Sequence, residues 1–347
     1  MPYKTFLTIL VPAIVAFIIT VIVTRFFITY MKGAGVTVID HNKKKRPILA
    51  SSGGIAVAFG FAMGLFTYIF GASFDLYIPT SSLLYLFAAV IAVALISFTG
   101  FIDDINVTKK LVKSTDLMDT HKGLKQWQKP LFTLVGAIPL MAINAGVSTI
   151  SVPFLGMIDF GILYPLIIVP LAVIFASNAF NLLGGFDGII AGSGLVASLG
   201  LLLYSLVFGT TNGAIISGAL FAAIAGFMVY TVYPARIVPG DSFTYAVGTG
   251  LVAAMILGNM ESFGVIIFLP WIIEFILHAR KRFHVTDLGV LQKDGTFKSK
   301  YGKKIYSWTH FIMNIRPMKE WQISATMWAI SALFVALGFS MKYLGLL

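Results

Sequence analysis

Ten apolar runs of about 17 to 25 residues recur along the chain, at roughly 5–30, 53–71, 81–102, 130–147, 161–180, 189–208, 213–232, 243–260, 263–279 and 321–346. Each is long enough to cross a ~30 Å hydrocarbon core as a helix. With 58% hydrophobic and 11% charged residues over 347 positions, an ordinary soluble domain is excluded. The pattern predicts an all-α polytopic membrane protein with about ten transmembrane helices. No linker and no internal repeat divides it, so residues 1–347 read as a single integral membrane domain. The first run follows Lys4 but is too long, and too poor in a small-residue cleavage site, for a removable signal peptide. It reads as a retained helix.

Orientation follows from charge. If the loops alternate sides, the segments 31–52, 103–129, 178–188, 233–242 and 280–320, with Arg25 just ahead, hold 23 of the 25 lysines and arginines. The positive-inside rule puts these loops in the cytoplasm and both termini outside. The net charge of +11 then belongs to one face and suits anionic headgroups and anionic substrates. Nucleic acid is not an expected partner, because the basic residues are dispersed among loops between spans. The absence of cysteine excludes disulfides, thiolate nucleophiles and Cys-ligated metals. Residues 147–160 read as a small outer hairpin, and Asp294-Gly295 as a turn between short extended pieces of a cytoplasmic flap.

Four cytoplasmic loops carry the polar chemistry. In VIDHNKKKRPILASSGG (38–54), Lys43, Lys44 and Lys45 read as an interfacial anchor, whereas Arg46 and the Gly-rich start of the next helix suit an anion. In GFIDDINVTKK (100–110), Asp103 and Asp104 end an apolar run. Carboxylates oppose the dipole at a helix C-terminus, so a metal or a lysine must compensate; Lys129, ahead of Pro130, closes this loop at the membrane surface. In ASNAFNLLGGFDGIIAG (176–192), Asn178 and Asn181 share a helix face, and Gly184, Gly185 and Gly188 break the helix around Asp187. Such a break at membrane depth is tolerated where it lines a polar cavity. In YPARIVPGDSFTYAVG (233–248), Arg236 and Asp241 lie just before a span, with a helix N-cap as the structural alternative for Asp241 or Ser242.

These four motifs, in this order, resemble those of the polyprenyl-phosphate N-acetylhexosamine-1-phosphate transferases, glycosyltransferase family 4. That superfamily includes bacterial phospho-N-acetylmuramoyl-pentapeptide translocase and the eukaryotic dolichyl-phosphate GlcNAc-1-phosphate transferase. The likeness runs from the first cytoplasmic loop to about residue 280. Gly184 replaces the first Asp of the bacterial D-G-x-D-G motif, as in the eukaryotic enzyme, while Asp187 is kept as in bacteria; the mixture looks archaeal. The family's His- or Arg-containing motif in the last cytoplasmic loop is not matched. HARKRFH (278–284) stands there instead, and Arg280, Arg282 and His284 are candidates for contacting a diphosphate.

The resemblance implies transfer of GlcNAc-1-phosphate from UDP-GlcNAc to a polyprenyl or dolichyl phosphate, with release of UMP, at the cytoplasmic face of the cell membrane. It implies Mg²⁺, with Mn²⁺ as a substitute, held by Asp241 and either Asn181 or Asp187. Asp104 and Lys129 would serve the phosphates, and Asp103 would accept a proton from the lipid phosphate. Arg46, Asn178, Asn181, Asp187 and Arg236, with Arg282 and His284, would form the substrate surface. A phospho-Asp route is the mechanistic alternative, and another UDP-N-acetylhexosamine the alternative donor. A secondary transporter, the reading from another class, should cluster its polar groups at mid-membrane and repeat its halves. Sequence leaves open the donor sugar, the lipid's length and the oligomeric state, a homodimer included.

Overall fold

The computed structural model describes residues 3–76, 82–105, 127–152 and 156–347, with side chains from Leu7 onward. Lys109, Lys110, Lys113, Lys122 and Lys125, the basic train behind the acidic pair, lie outside these residues. Eight helices among them are long and apolar enough to cross a membrane: α1 (Tyr3–Gly33, counted from Leu7), α2 (Gly54–Ser73), α3 (Leu83–Ile105), α7 (Ile189–Phe208), α8 (Thr211–Thr231), α9 (Gly240–Leu257), α10 (Glu261–Ala279) and α12 (Glu320–Tyr343). The other two expected spans are shorter. Residues 128–142 form α4 (Gln128–Thr133), a 3₁₀ turn and α5 (Ile138–Ala142), interrupted near Pro139. Residues 164–180 begin as a π-helical turn and continue as α6 (Val169–Phe180), with Pro165 and Pro170 near the start of each part. Prolines withhold backbone donors from the regular ladder, which accounts for the local changes of helix type.

The core forms around α9, whose residues from Ser242 to Leu257 are all buried. Helix α3 packs along one side of it and α6 along another, with α8 and α2 closing the ring; α1 leans on α2 and α8, and α12 on α7 and α10. On α1, Ile14, Ile18, Ile22 and Phe26 recur at every fourth position and stay exposed, an apolar stripe that no other described residue covers. In a bilayer that stripe faces lipid.

Among the described residues, three two-stranded antiparallel hairpins decorate the helices: β1 (Thr37–Ile39) with β2 (Ile48–Ala50), β3 (Thr149–Val152) with β4 (Gly156–Asp159), and β5 (Gly289–Leu291) with β6 (Phe297–Ser299). The second and third stand where the sequence predicts a hairpin and a flap. The first and third belong to the basic loops, which meet at one end of the bundle. Ala50 bridges Ile237, the Asn42 side-chain amide donates to the Gly185 carbonyl, and Lys43 reaches Glu320. The β3–β4 hairpin instead touches α10 through Ser262, which donates to the Ser151 carbonyl, and Tyr164 donates to Glu261 at 2.5 Å.

Candidate active site

Asp103 and Asp104 are adjacent at the end of α3 but do different things. Asp104 accepts from the backbone N–H groups of Asp241 (2.8 Å) and Ser242 (3.1 Å) and from the Ser52 hydroxyl (2.7 Å). It is a cap supplied by one helix to the first turn of another, satisfying donors that α9 could not satisfy itself. Two glycines make room. A Cβ on Gly100 would lie 2.6 Å from the Asp241 carbonyl carbon, and one on Gly240, whose φ is +73°, would lie 2.5 Å from an Asp104 carboxylate oxygen. Asp104, expected to serve the phosphates, has its carboxylate oxygens engaged here in holding α9 against α3. The cap at the start of α9 likewise comes from Asp104, not from Asp241 or Ser242.

Asp103 turns the other way and is buried. The Lys129 ammonium lies 2.9 Å from its Oδ2 and 2.7 Å from Asp241 Oδ2, while the Asn181 amide donates to Asp241 Oδ1 at 2.8 Å. The compensating cation required at the end of α3 is thus a lysine, brought by α4. Four side chains from α3, α4, α9 and the end of α6 converge here. Asn178, one turn back on α6, donates instead to Thr133 (2.9 Å) and to its own helix at Ile174 (2.8 Å). It ties α6 to α4 and supports Asn181 from behind.

Asp187 belongs to a second group. Its Oδ2 accepts from Lys43 (2.8 Å) and from the Ala235 N–H (2.9 Å), and the same lysine contacts Asp40 (3.0 Å) and Glu320 (2.6 Å). The contacts join Asn181, not Asp187, to Asp241. Lys43, expected from sequence to be an interfacial anchor, is instead the centre of a partly buried ion cluster. Burial alone would depress its pKa; the hydrogen bonds and charges of Asp187 and Glu320 outweigh that and hold it above the ordinary lysine range. Nor are the Gly53 and Gly54 N–H groups offered to an anion, since they donate to the carbonyls of Val238 and Pro239. Arg46, Arg236, Arg282 and His284 are exposed around this end of the bundle; His284 Nδ1 sits 2.8 Å from the Arg282 carbonyl, and Arg280 reaches the Ile305 carbonyl.

Among the described residues, a cavity of about 700 Å³ borders Asp40, Lys43 and Glu320, and others lie nearby. One, of about 310 Å³, is lined by Asp40, His41, Asn42, Gly185, Asp187 and Thr286, among others. Another, about 460 Å³, is walled mainly by apolar side chains of α6, α9 and α10, including Phe175, Met255 and Phe268, and runs from Ala176 toward Ser151 and Glu261 beside the β3–β4 hairpin. A divalent cation suits the first group chemically. Asp241 and Asn181 are hard oxygen donors, and two carboxylates there already share one positive charge. Sequence reasoning missed a further set: among the described residues, Glu274, His278 and Asp287 bring their ligand-capable atoms within 4.8 Å of one another. An acid and a histidine one turn apart in the apolar run PWIIEFILH (270–278) were the available signal.

The glycosyl transferase family 4 profile matches residues 86–259, which hold Asp103, Lys129, Asn181, Asp187 and Asp241. Proteins of Sulfolobus acidocaldarius and Saccharolobus solfataricus, each named "Putative UDP-N-acetylglucosamine--dolichyl-phosphate N-acetylglucosaminephosphotransferase", are both 32% identical to the chain. The alignments cover 95% of this chain in each case, and 95% and 96% of the two relatives. The phospho-N-acetylmuramoyl-pentapeptide-transferase of Halalkalibacterium halodurans is 30% identical over 94% of this chain and 95% of its own length. With a matching profile across half its length, near full-length relatives and motif residues that meet in space, the chain belongs to glycosyl transferase family 4.

Proposed function

We propose that this chain, as a single transferase domain, moves GlcNAc-1-phosphate from UDP-GlcNAc onto a dolichyl or polyprenyl phosphate and releases UMP. The active site faces the cytoplasm in the cell membrane, with both termini outside. The observation that supports this reading most is the meeting of Asp103, Lys129, Asn181 and Asp241 where the basic loops gather. The names of the archaeal relatives point to the same two substrates.

Donor and acceptor both carry phosphate, so the site must offset crowded negative charge. The Lys129 ammonium does this from within the chain, placed between Asp103 and Asp241. Asp241 and Asn181 would hold Mg²⁺, or Mn²⁺ in its place, which when bound supplies further positive charge against the phosphates. Asp103 takes the proton of any lipid phosphate that arrives as the monoanion; with a second pKa near ~6 most of the lipid is already dianionic at neutral pH. A lipid phosphate oxygen then bonds to the β-phosphorus, and the bond from that phosphorus to the bridging oxygen breaks to give UMP. Asp187 and the cavity of about 310 Å³ beside it take the nucleotide end of the donor. Arg46, Arg236, Arg282 and His284 supply the basic rim, and the apolar cavity along α6, α9 and α10 takes isoprenoid units.

The test is a purified preparation supplied with Mg²⁺, UDP-GlcNAc or UDP-GalNAc, and short polyprenyl phosphates. UMP release should require both substrates and yield a lipid diphosphate carrying GlcNAc. UMP release from UDP-GlcNAc without lipid would favour a phospho-enzyme route, and product from UDP-GalNAc alone would replace the donor. A homodimer would register as twice the 37.7 kDa chain mass in light scattering corrected for detergent.

A further inference from the structure

Glu274 and His278 stand one turn apart on α10, and Asp287 comes from the segment after it. His278 Nε2 is 3.2 Å from Glu274 Oε1 and 3.2 Å from Asp287 Oδ1. Glu274 is also held from α11 (Trp308–Ile315) and its cap: the Ser307 hydroxyl donates to Oε1 at 2.6 Å and the Trp308 N–H to Oε2 at 2.8 Å. These polar contacts are buried, and Glu274 has no exposed surface. In such a place each group needs its partners.

Two more contacts converge on the same stretch of chain. The Thr309 hydroxyl donates to the Asp287 carbonyl at 3.1 Å, and His310 Nε2 lies 3.0 Å from the Thr286 carbonyl. The Tyr306 N–H points at His310 Nδ1, so that ring carries its hydrogen on Nε2, and burial keeps its pKa below the ordinary histidine value. Residues 286 and 287 are therefore gripped by three side chains from α10 and α11. What they press against is the loop that carries Asp187. Gly185, with φ of +93°, packs tightly on Asp287: a Cβ there would come within 3.0 Å of the Asp287 carbonyl carbon. Thr286 and Leu288 line the cavity of about 310 Å³ together with Gly185 and Asp187.

We propose that Glu274, His278, Thr309 and His310 are positioning residues that clamp residues 286–287 as one wall of the donor cavity, and so control capture of the nucleotide sugar without touching the reacting atoms. The proposal rests on the reading of the chain as a UDP-GlcNAc transferase. Full-length protein in nanodiscs would be compared as wild type, His278→Gln and the milder Thr309→Val, with Asp287→Asn and Asp287→Ala as a conservative and a severe pair. Hydrogen exchange should quicken across residues 284–291 while α9 stays protected. KM for UDP-GlcNAc should rise roughly tenfold in His278→Gln and about threefold in Thr309→Val, with kcat and the lipid KM changed less than about twofold. Asp287→Asn should retain more of the donor affinity than Asp287→Ala. Unchanged exchange in His278→Gln, or a fall in kcat at constant donor KM, would overturn the clamp. So would one transition-metal ion per chain that is lost in His278→Gln and kept in Asp241→Ala. If wild type is inert toward UDP-GlcNAc the functional reading fails alone, because exchange reports on the clamp without substrate.

Discussion

Lys129 and Lys43 each sit among carboxylates, with side chains 19% and 18% exposed, yet their partners are arranged differently. Lys129 is shared by two acids at helix ends, Asp103 and Asp241, next to an amide that holds the second oxygen of Asp241. Lys43 ties a hairpin loop to Asp187 and to the first turn of α12, drawing three acids from three separate parts of the chain. In the first group the charges converge on a place where a phosphate could replace one partner. In the second, the lysine serves to join loops. A buried ion pair need not add net stability, but removing one member leaves an uncompensated charge.

That contrast can be broken by experiment. Asp241→Ala should lower the rate of UMP release by at least ~100-fold, and EDTA should do the same to wild type; full turnover in EDTA would end the metal assignment. Lys43→Met should act mainly on stability, by about 3 kcal/mol, measured as a lower unfolding temperature in detergent, with a smaller loss of rate than in Asp241→Ala. The sign with pH follows from the raised pKa of Lys43: its contribution is constant at neutral pH and disappears only as pH climbs past the ordinary lysine value near ~10.4. Stability of wild type that falls more steeply than that of Lys43→Met above that pH would confirm it. Arg282→Ala should cost roughly tenfold in kcat/KM for the nucleotide sugar, and His284→Ala less; wild-type kinetics in both would move the diphosphate to Lys129 or Arg46. Smallest of all, Asn178→Ala should reduce stability by about 1 kcal/mol while the rate stays within about threefold, because its amide contacts Thr133 and Ile174 rather than Asp241.

The difference between the two groups also marks what the sequence could reveal. Asp103, Asp241 and Asn181 stand at the ends of apolar runs, where a polar residue is conspicuous because hydrocarbon does not tolerate it without a partner. The need for a cation at the end of α3 was legible from the helix dipole, and Lys129 supplies it. Lys43 was not legible: it sits in a run of basic residues, and its partner Glu320 is 277 positions away, with no local pattern joining them. The separate duties of Asp103 and Asp104 were hidden for a similar reason. Which carboxylate meets the α9 amides depends on how two distant helices pack around Gly100 and Gly240. The long spans and two of the hairpins were legible because periodicity and turn chemistry are local, whereas the β1–β2 hairpin, which carries no Gly-containing turn, was not read. The two short helices were read as too long because proline alters backbone geometry inside an otherwise continuous apolar run.

Those short helices have a consequence for the membrane itself. Residues 128–142 and 164–180 would extend about 22 and 25 Å at the rise of an α-helix, less than a ~30 Å hydrocarbon core. Both present uncovered apolar side chains, Leu131, Phe132 and Ile138 on one and Leu166, Ile167 and Leu171 on the other. Lipids beside a span that is too short thin locally to match it, at a cost of fractions of a kcal/mol per Å. Lys129 lies in the first turn of the first of these helices and Asn181 follows the second. A bilayer that thins to match these helices would lower the headgroup of the proposed acceptor toward Lys129 and Asn181.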